Sequence, residues 1–483
     1  MITHRMIAGL ALALCAPAQT YHEPYRPQVH FSPKQNWTND PNGLVYFEGE
    51  YHLFFQYNPF GDKWGHMSWG HAVSTDLLHW TELPVALPEG NGVMIFTGSV
   101  VIDRTNTSGF CTGGRPCMVA IYTGHQPSLQ TQNIAYSNDR GRTWAKYAKN
   151  PVLNLNMADF RDPNVLWSEA SKRWVMAVSL PNEHKVAFYG SPDLKRWDRL
   201  SEFGPAGATG GQWECPDLVE LPVDGDPKNT RWVLKIGLNP GGLQGGSGEQ
   251  YFVGRFDGSR FINDNPAGLT LWDDYGKDCY CGLTFNNAPK PTLLGWMSNW
   301  QYADQLPTHP WRGQMTIPRE VSLETFAEGI RLVQKPVSLD ALREPRVLAG
   351  APLKGRSFWI EASFNPGRAS QSGWKIYGAN GAYTTIGYDG RRKELFVDRT
   401  HSGEAGLIKD FPARTTAPLT ITGPLMLQIL VDGNSLEVFA DQGRIVFTDL
   451  IFAGDPTRLN FFSDGDSSAG LLSADVWPLK SIW

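Results

Sequence analysis

One motif returns along the first part of the chain at intervals of roughly 50–65 residues, and that period limits the fold more than anything else in the sequence. Ala72-Val-Ser-Thr-Asp76-Leu-Leu-His-Trp80 comes back as Ala135-Tyr-Ser-Asn-Asp139-Arg-Gly-Arg-Thr-Trp144 and as Tyr189-Gly-Ser-Pro-Asp193-Leu-Lys-Arg-Trp197. A degenerate copy is Val253-Gly-Arg-Phe-Asp257-Gly-Ser-Arg-Phe261. Each copy reads as a strand, an Asp-centred turn and an aromatic that opens the next strand. A second repeat runs beside the first. Asn39-Asp40-Pro41-Asn42 matches Arg161-Asp162-Pro163-Asn164, and Glu214-Cys215-Pro216-Asp217 is a looser copy. Units of this length, each several strands long, suit a β-propeller blade better than a solenoid turn. Residues 25–330 then hold five blades.

The two repeats call for different explanations. Asp76, Asp139 and Asp193 sit where a carboxylate caps a turn by accepting local backbone N–H bonds, so they are read as structural. The acids before Pro are different. If each opens the innermost strand of its blade, Asp40, Asp162 and Glu214 all face one end of the central channel. Cleavage of a glycosidic bond usually needs two carboxyl groups, one to protonate the leaving oxygen and one to attack carbon or activate water. The two must also differ in protonation state at working pH.

Composition narrows the ligand. The 483 residues carry a net charge of only −5 and no basic run, which gives no footing for nucleic acid. The 18 Trp residues supply flat apolar faces on which sugar rings stack, although core packing is the default use of any one of them. With 50 Gly and 34 Pro, many short strands joined by turns are expected in place of long helices. Residues 1–18 read as an export signal: His4 and Arg5, then the apolar run Met6 to Leu14, then Ala16-Pro17-Ala18 as a cleavage site. No later apolar stretch is long enough to span a membrane. Cys111 and Cys117 flank a turn and fit a small disulfide in an oxidising compartment, whereas Cys279 and Cys281 lie two apart on one strand face, awkward for a bond. There is no HExxH and no doubled CxxC, so no metal and no cofactor is expected. The turns Asp224-Gly-Asp226 and Asp464-Gly-Asp466 are read as solvated. The Gly241 to Gly248 stretch is read as a loop at the pocket rim.

Beyond residue 330 the repeat stops. Residues 331–345 read as a linker. Residues 346–483 alternate apolar and polar positions between hairpin turns such as Asp389-Gly390 and Asp432-Gly433, the pattern of a β-sandwich. The expected fold is therefore all-β, a five-bladed propeller followed by a C-terminal sandwich.

The acid motifs Trp37-Thr-Asn-Asp40-Pro-Asn-Gly43, Phe160-Arg-Asp162-Pro163 and Glu214-Cys215-Pro216 resemble those of glycoside hydrolase family 32, the invertase, inulinase and levanase family. So do His52-Leu-Phe-Phe-Gln56-Tyr-Asn-Pro59, Phe96-Thr-Gly-Ser99, Trp296-Met-Ser-Asn-Trp300-Gln-Tyr302 and Ser435-Leu-Glu-Val-Phe439, in the family's order along nearly the whole mature chain. The resemblance implies retaining hydrolysis of β-fructofuranosidic bonds in fructans such as levan or inulin, and in sucrose. It makes Asp40 the nucleophile, Glu214 the acid/base and Asp162 the transition-state stabiliser. It places Asn39, Gln56, Trp64, Thr97, Gly98, Arg161 and Trp296 around the fructose. The stretch from Asn239-Pro-Gly-Gly to Val253-Gly254 resembles exo-acting fructanases. Thr38 and Thr97 stand where the family more often has Met and Ser, which bears on substrate fit. Cys215 is read as a packing neighbour of Glu214. A non-catalytic fructan-binding protein and a five-bladed glycosidase acting on arabinose or xylose polymers are the alternatives. Oligomeric state is left open.

Overall fold

The computed structural model describes residues 21–378, 381–403, 408–465 and 469–483. The export signal at 1–18 and Asp466 lie outside them. The chain is an all-β, five-bladed propeller followed by a β-sandwich.

Blade one comprises β1 (Asn36–Phe47), β2 (Glu50–Asn58), β3 (Ser68–Ser74) and β4 (Thr81–Leu87). Blade two comprises β5 (Met94–Asp103), β6 (Cys117–Gln126) and β7 (Leu129–Ser137), with the short β8 (Ala145–Lys146) and β9 (Leu153–Met157) both pairing with β7. Blade three comprises β10 (Arg161–Ser168), β11 (Arg173–Leu180), β12 (Lys185–Ser191) and β13 (Asp198–Phe203). Blade four comprises β14 (Gln212–Val223), β15 (Asp226–Asn239) and β16 (Gly248–Phe256), edged by β17 (Phe261–Asn263) and β18 (Leu271–Trp272). Blade five comprises β19 (Tyr280–Thr284), β20 (Thr292–Trp296), β22 (Arg319–Phe326) and β23 (Gly329–Pro336). The short β21 (Trp311–Arg312) leaves this blade and pairs in parallel with β1. That strap joins the last blade to the first and covers an edge that would otherwise present unpaired backbone groups. Residues 331–336, within the stretch read as a linker, pair with β22 as part of β23.

Middle strands are apolar on both faces because each blade is packed between two neighbours. In β11, Trp174-Val-Met-Ala-Val-Ser-Leu180 is buried throughout. The repeated Asp residues do the local work read from the sequence. Asp76 accepts the N–H of Leu78 and His79 at 3.0 and 2.8 Å, Asp193 those of Lys195 and Arg196 at 3.0 and 2.9 Å, and Asp257 those of Ser259 and Arg260 at 2.8 and 2.7 Å. Asp139 accepts the N–H of Thr143 at 2.9 Å. The repeated Trp then closes each turn. The indole N–H of Trp80, Trp144 and Trp197 donates to the carbonyls of Leu77, Gly141 and Leu194 at 3.0–3.1 Å.

The sandwich packs a six-stranded sheet on a five-stranded one, around Phe358, Ile360, Trp374, Leu395 and Val438. It docks on the propeller through buried charge. His30, from the segment before β1, bonds Asp432 at 2.7 Å and Glu437 at 3.2 Å, both in the sandwich. Arg319 of β22 reaches Glu437 at 3.2 Å and Asp274 at 3.1 Å. Burial opposes charge on His30, but Asp432 and Glu437 outweigh it and hold its pKa up at about 9. A histidine whose folded pKa is raised stabilises fully below the unfolded value of about 6.5, and the contribution fades as pH rises toward 9. Thermal stability is thus expected to fall between pH 7 and pH 9. His30→Ala is expected to cost about 3–5 kcal/mol at pH 7, because it leaves two buried carboxylates short of a partner. Thermal denaturation across that pH range checks both. A variant as stable as the parent, with the same pH slope, would remove His30 from the account.

Candidate active site

The pocket is made by the innermost strands β1, β5, β10, β14 and β19, and all five depart from regular pairing at the same level. The ladder slips between Thr38 and Pro41 in β1, Ile95 and Gly98 in β5, Arg161 and Asn164 in β10, Glu214 and Asp217 in β14, and Tyr280 and Leu283 in β19. A bulge inserts a residue that the neighbouring strand does not match and re-aims its side chain. Pro41, Pro163 and Pro216 follow the acids because a bulge is where a strand tolerates the missing N–H of proline. Asp162, Cys215 and Cys281 take φ of 66°, 48° and 50° there, left-handed values that a non-glycine residue adopts at a cost of about 1–3 kcal/mol.

These bulges bring Asp40, Asp162 and Glu214 to one cavity of about 220 Å³, as the repeat implied, with Thr97 from blade two and Tyr280 from blade five. Asp40 is buried. Its Oδ2 accepts the Thr97 hydroxyl at 2.8 Å, and its Oδ1 has no hydrogen-bond partner. A buried carboxylate oxygen without a donor costs folding free energy, so its retention needs a reason outside the fold. Glu214 is held on both oxygens. Oε1 accepts Arg161 Nε at 2.9 Å and lies 2.8 Å from Nη2, and Oε2 accepts the Tyr280 hydroxyl. Arg161 is itself anchored by Asp159 at 2.7 Å and Gln212 at 2.7 Å. Asp162 Oδ2 accepts the backbone N–H of Cys215 at 3.0 Å.

Burial pushes the Asp40 carboxyl up to about 6. The Thr97 bond opposes this and the nearby Glu214 charge adds to it. Burial also raises Asp162. Arg161 pulls it back, while Glu214 and Asp40 push it further up. The Tyr280 phenol is driven well above its ordinary value by burial and then by the Glu214 charge, so it remains a donor. Three acids in one cavity thus repel one another, and Arg161 is the cation that makes the arrangement tolerable.

Of the other residues read from the sequence, Asn39, Gln56, Trp64, Thr97 and Arg161 line the cavity. Asn39 is oriented by the Trp37 indole, which donates to its Oδ1 at 2.8 Å. Trp64 stands at the rim, 45% exposed, edge-on to Phe96. Two residues do not reach the cavity. Trp296 is fully buried at the end of β20, 4.8 Å from the ring of Trp300, and Trp300 lines the pocket together with Trp64. Gly98 lies behind Thr97, where a Cβ would come within 2.1 Å of the Ile121 carbonyl, so it serves close backbone approach. Sequence reasoning missed Tyr280, although it opens the innermost strand of blade five where other blades carry an acid. It also missed the pairing of Cys215 with Cys281, whose sulfurs form a disulfide. Cys215 is therefore no free thiol beside Glu214, and Cys279 is the unpaired cysteine among the described residues. The Cys111–Cys117 disulfide is present as expected. A larger cavity of about 550 Å³ lies between propeller and sandwich. Its acids Glu361 and Asp475 are paired with Arg343 and Arg346, whereas the smaller one holds the unpartnered Oδ1 of Asp40.

Two family descriptions match the chain: Glycosyl hydrolases family 32 N-terminal domain over residues 30–336, and Glycosyl hydrolases family 32 C terminal over residues 330–478. A levanase of Bacillus subtilis (strain 168) is 45% identical across 100% of this chain and 75% of its own length. An extracellular exo-inulinase of Aspergillus awamori is 41% identical across 99% of this chain and 98% of its own. Among solved structures, exo-inulinase from Aspergillus awamori superposes with a TM-score of 0.90 at 40% identity, covering 96% of this chain and 100% of that one. A β-fructofuranosidase from Schwanniomyces occidentalis complexed with fructosyl-erythritol gives 0.88 at 34% identity, covering 95% and 98%.

Proposed function

The chain belongs to glycosyl hydrolase family 32, and from that membership we propose that it hydrolyses β-fructofuranosidic bonds, releasing fructose from the ends of fructan chains and from sucrose. The observation that carries this reading is the buried, unpaired Oδ1 of Asp40 in a cavity that Glu214 and Asp162 share. Asp40 Oδ1 attacks the anomeric carbon of the fructosyl unit, and Glu214 gives its proton to the departing oxygen. The fructosyl–Asp40 ester is then cleaved by water, whose proton returns to Glu214, so configuration is retained after two inversions. Asp162 takes the hydroxyls of the ring, as its carboxylate has one backbone donor and faces the cavity. Arg161 holds Glu214 in place and tempers the charge.

End-on attack is supported by the size of the cavity. About 220 Å³ is below the range of about 300–1,000 Å³ usual for larger ligands, and suits one sugar ring better than the middle of a polymer. Trp64, Phe96 and Trp300 offer stacking faces there. We place the mature protein outside the cytoplasm. Residues 1–18 read as an export signal, disulfides persist in oxidising compartments, and relatives are named extracellular. Among the described residues no helix is long and apolar enough to cross a membrane.

Product analysis tests the proposal. Incubation with sucrose, inulin and levan is expected to yield free fructose, with no ladder of oligomers, and proton NMR of the first turnovers is expected to show the retained β-anomer. A ladder would overturn end-on attack. Binding without any release of sugar would overturn catalysis.

A further inference from the structure

We propose that the Cys215–Cys281 disulfide is a positioning device for proton transfer: it fastens the strand that carries Glu214 to the strand that carries Tyr280 and so sets the contact between those two side chains. The inference rests on the fructosidase reading above, in which Glu214 is the acid/base.

No backbone ladder holds the two strands in register at this level. The Thr284 hydroxyl donates to Asp217 of β14 at 3.0 Å, and Gly282 bonds Lys235 and Glu249 of blade four at 2.8 Å. The disulfide is the covalent link, next to Glu214 and Tyr280 themselves. β14 belongs to blade four and β19 to blade five, and among the described residues no ladder pairs them directly. In the sheet path β22 and β20 stand between them, and β14 meets β22 only at Val223, the end away from Glu214. Yet the Tyr280 hydroxyl must reach Glu214 Oε2 across that gap, and functional geometry is lost when a group moves by about half an ångström. The bridge joins the residues immediately after Glu214 and Tyr280, both at bulge positions and both fully buried.

The same bridge touches the other two acids. Cys215 Sγ lies 3.9 Å from Asp40 Oδ2, and the Cys215 N–H donates to Asp162 Oδ2 at 3.0 Å. One covalent link therefore sits next to Glu214, against Asp40 and under Asp162. The Cys111–Cys117 bridge is unlike it. It closes a short turn at the end of β5 and β6 opposite to Thr97, away from the cavity. A disulfide with a purely stabilising role acts by restricting the unfolded chain and has no reason to meet the acids.

The experiment compares wild type, Cys281→Ser and the double variant Cys111→Ser with Cys117→Ser on sucrose and on p-nitrophenyl β-D-fructofuranoside. The nitrophenolate leaves with little help from an acid, so a fault in proton donation spares it. Cys281→Ser is expected to lower kcat on sucrose at least about tenfold, to change KM less than about twofold, and to shift the basic limb of the pH–rate profile. On the aryl fructoside the rate of the first step, read as the burst of nitrophenol before the ester is hydrolysed, is expected to fall by under about threefold. The double variant is expected to lose thermal stability and keep both rates. Tyr280→Phe, with the bridge intact, is expected to reproduce the sucrose-selective loss, and it decides the matter if Cys281→Ser does not fold. Equal losses on both substrates with an unmoved pH profile, or a Tyr280→Phe variant with normal sucrose turnover, would overturn the inference. A wild type inert on every fructoside would instead overturn the reading on which it rests.

Discussion

Asp40→Asn is expected to lower kcat on sucrose and fructan by about 10⁴- to 10⁶-fold, the scale seen when a covalent nucleophile is removed, while KM stays near its original value. The amide keeps the shape and can still accept the Thr97 hydroxyl, but it cannot form the fructosyl ester. The same substitution has a second signature, in stability. Burial raises the folded pKa of Asp40 to about 6, against about 3.9 in the unfolded chain. Between those values the folded state binds more protons than the unfolded one, so stability falls as pH rises through about 4 to 6 and stays lower above that window. Asn cannot ionise and escapes this cost. The variant is therefore expected to melt higher than wild type at pH 8 and to gain little at pH 4. In wild type, kcat/KM is expected to climb with pH through about 6 as the nucleophile ionises. Calorimetry at the two pH values, with a pH–rate profile, checks the set. An Asn variant with a tenth or more of normal turnover would end the nucleophile assignment.

Glu214→Gln is the second large effect. General acid–base catalysis contributes about 10²- to 10⁴-fold, and kcat on sucrose is expected to fall by that amount. Gln can keep its carbonyl oxygen as acceptor for Arg161 and turn its amide N–H toward the Tyr280 oxygen, reversing that one bond, so the pocket keeps its form. With p-nitrophenyl β-D-fructofuranoside the first step needs little proton donation, but hydrolysis of the ester still needs a base. A burst of about one equivalent of nitrophenol, followed by slow turnover, is expected in rapid-quench measurements. A steady rate with no burst, equal to that of wild type, would take the acid/base role from Glu214.

Much of this was legible in the sequence because a propeller repeats on a long period and marks its inner strands. The acids before Pro, at Asp40, Asp162 and Glu214, recur at the same place in a blade, so the repeat placed three acids on one channel mouth, and the structure adds that the strands bulge at those prolines. The Asp76, Asp139 and Asp193 turns were legible for a simpler reason: their partners are within four residues. What stayed hidden depends on contacts between blades. Tyr280 has no Pro and no acid beside it, so nothing local announces its reach to Glu214. The partner of Cys215 is 66 residues away, and five cysteines after the export signal allow several pairings. Trp296 and Trp300 sit in one motif, and only the turn after β20 decides that the second faces the cavity while the first is buried.

The five aligned bulges separate two kinds of information in this chain. Blade cohesion is written in the regular stretches of β1, β5, β10, β14 and β19, where each residue has a partner across the ladder. Recognition is written at the slips, where the neighbouring strand has no counterpart to lose. Each blade contributes its own slip, and the side chains at the slips bond one another across the ring: Thr97 to Asp40, Arg161 and Tyr280 to Glu214, and Cys215 to Cys281. Exchanges at these positions therefore leave the scaffold's pairing intact but couple to one another, and a library that varies them together explores specificity on a backbone that still closes.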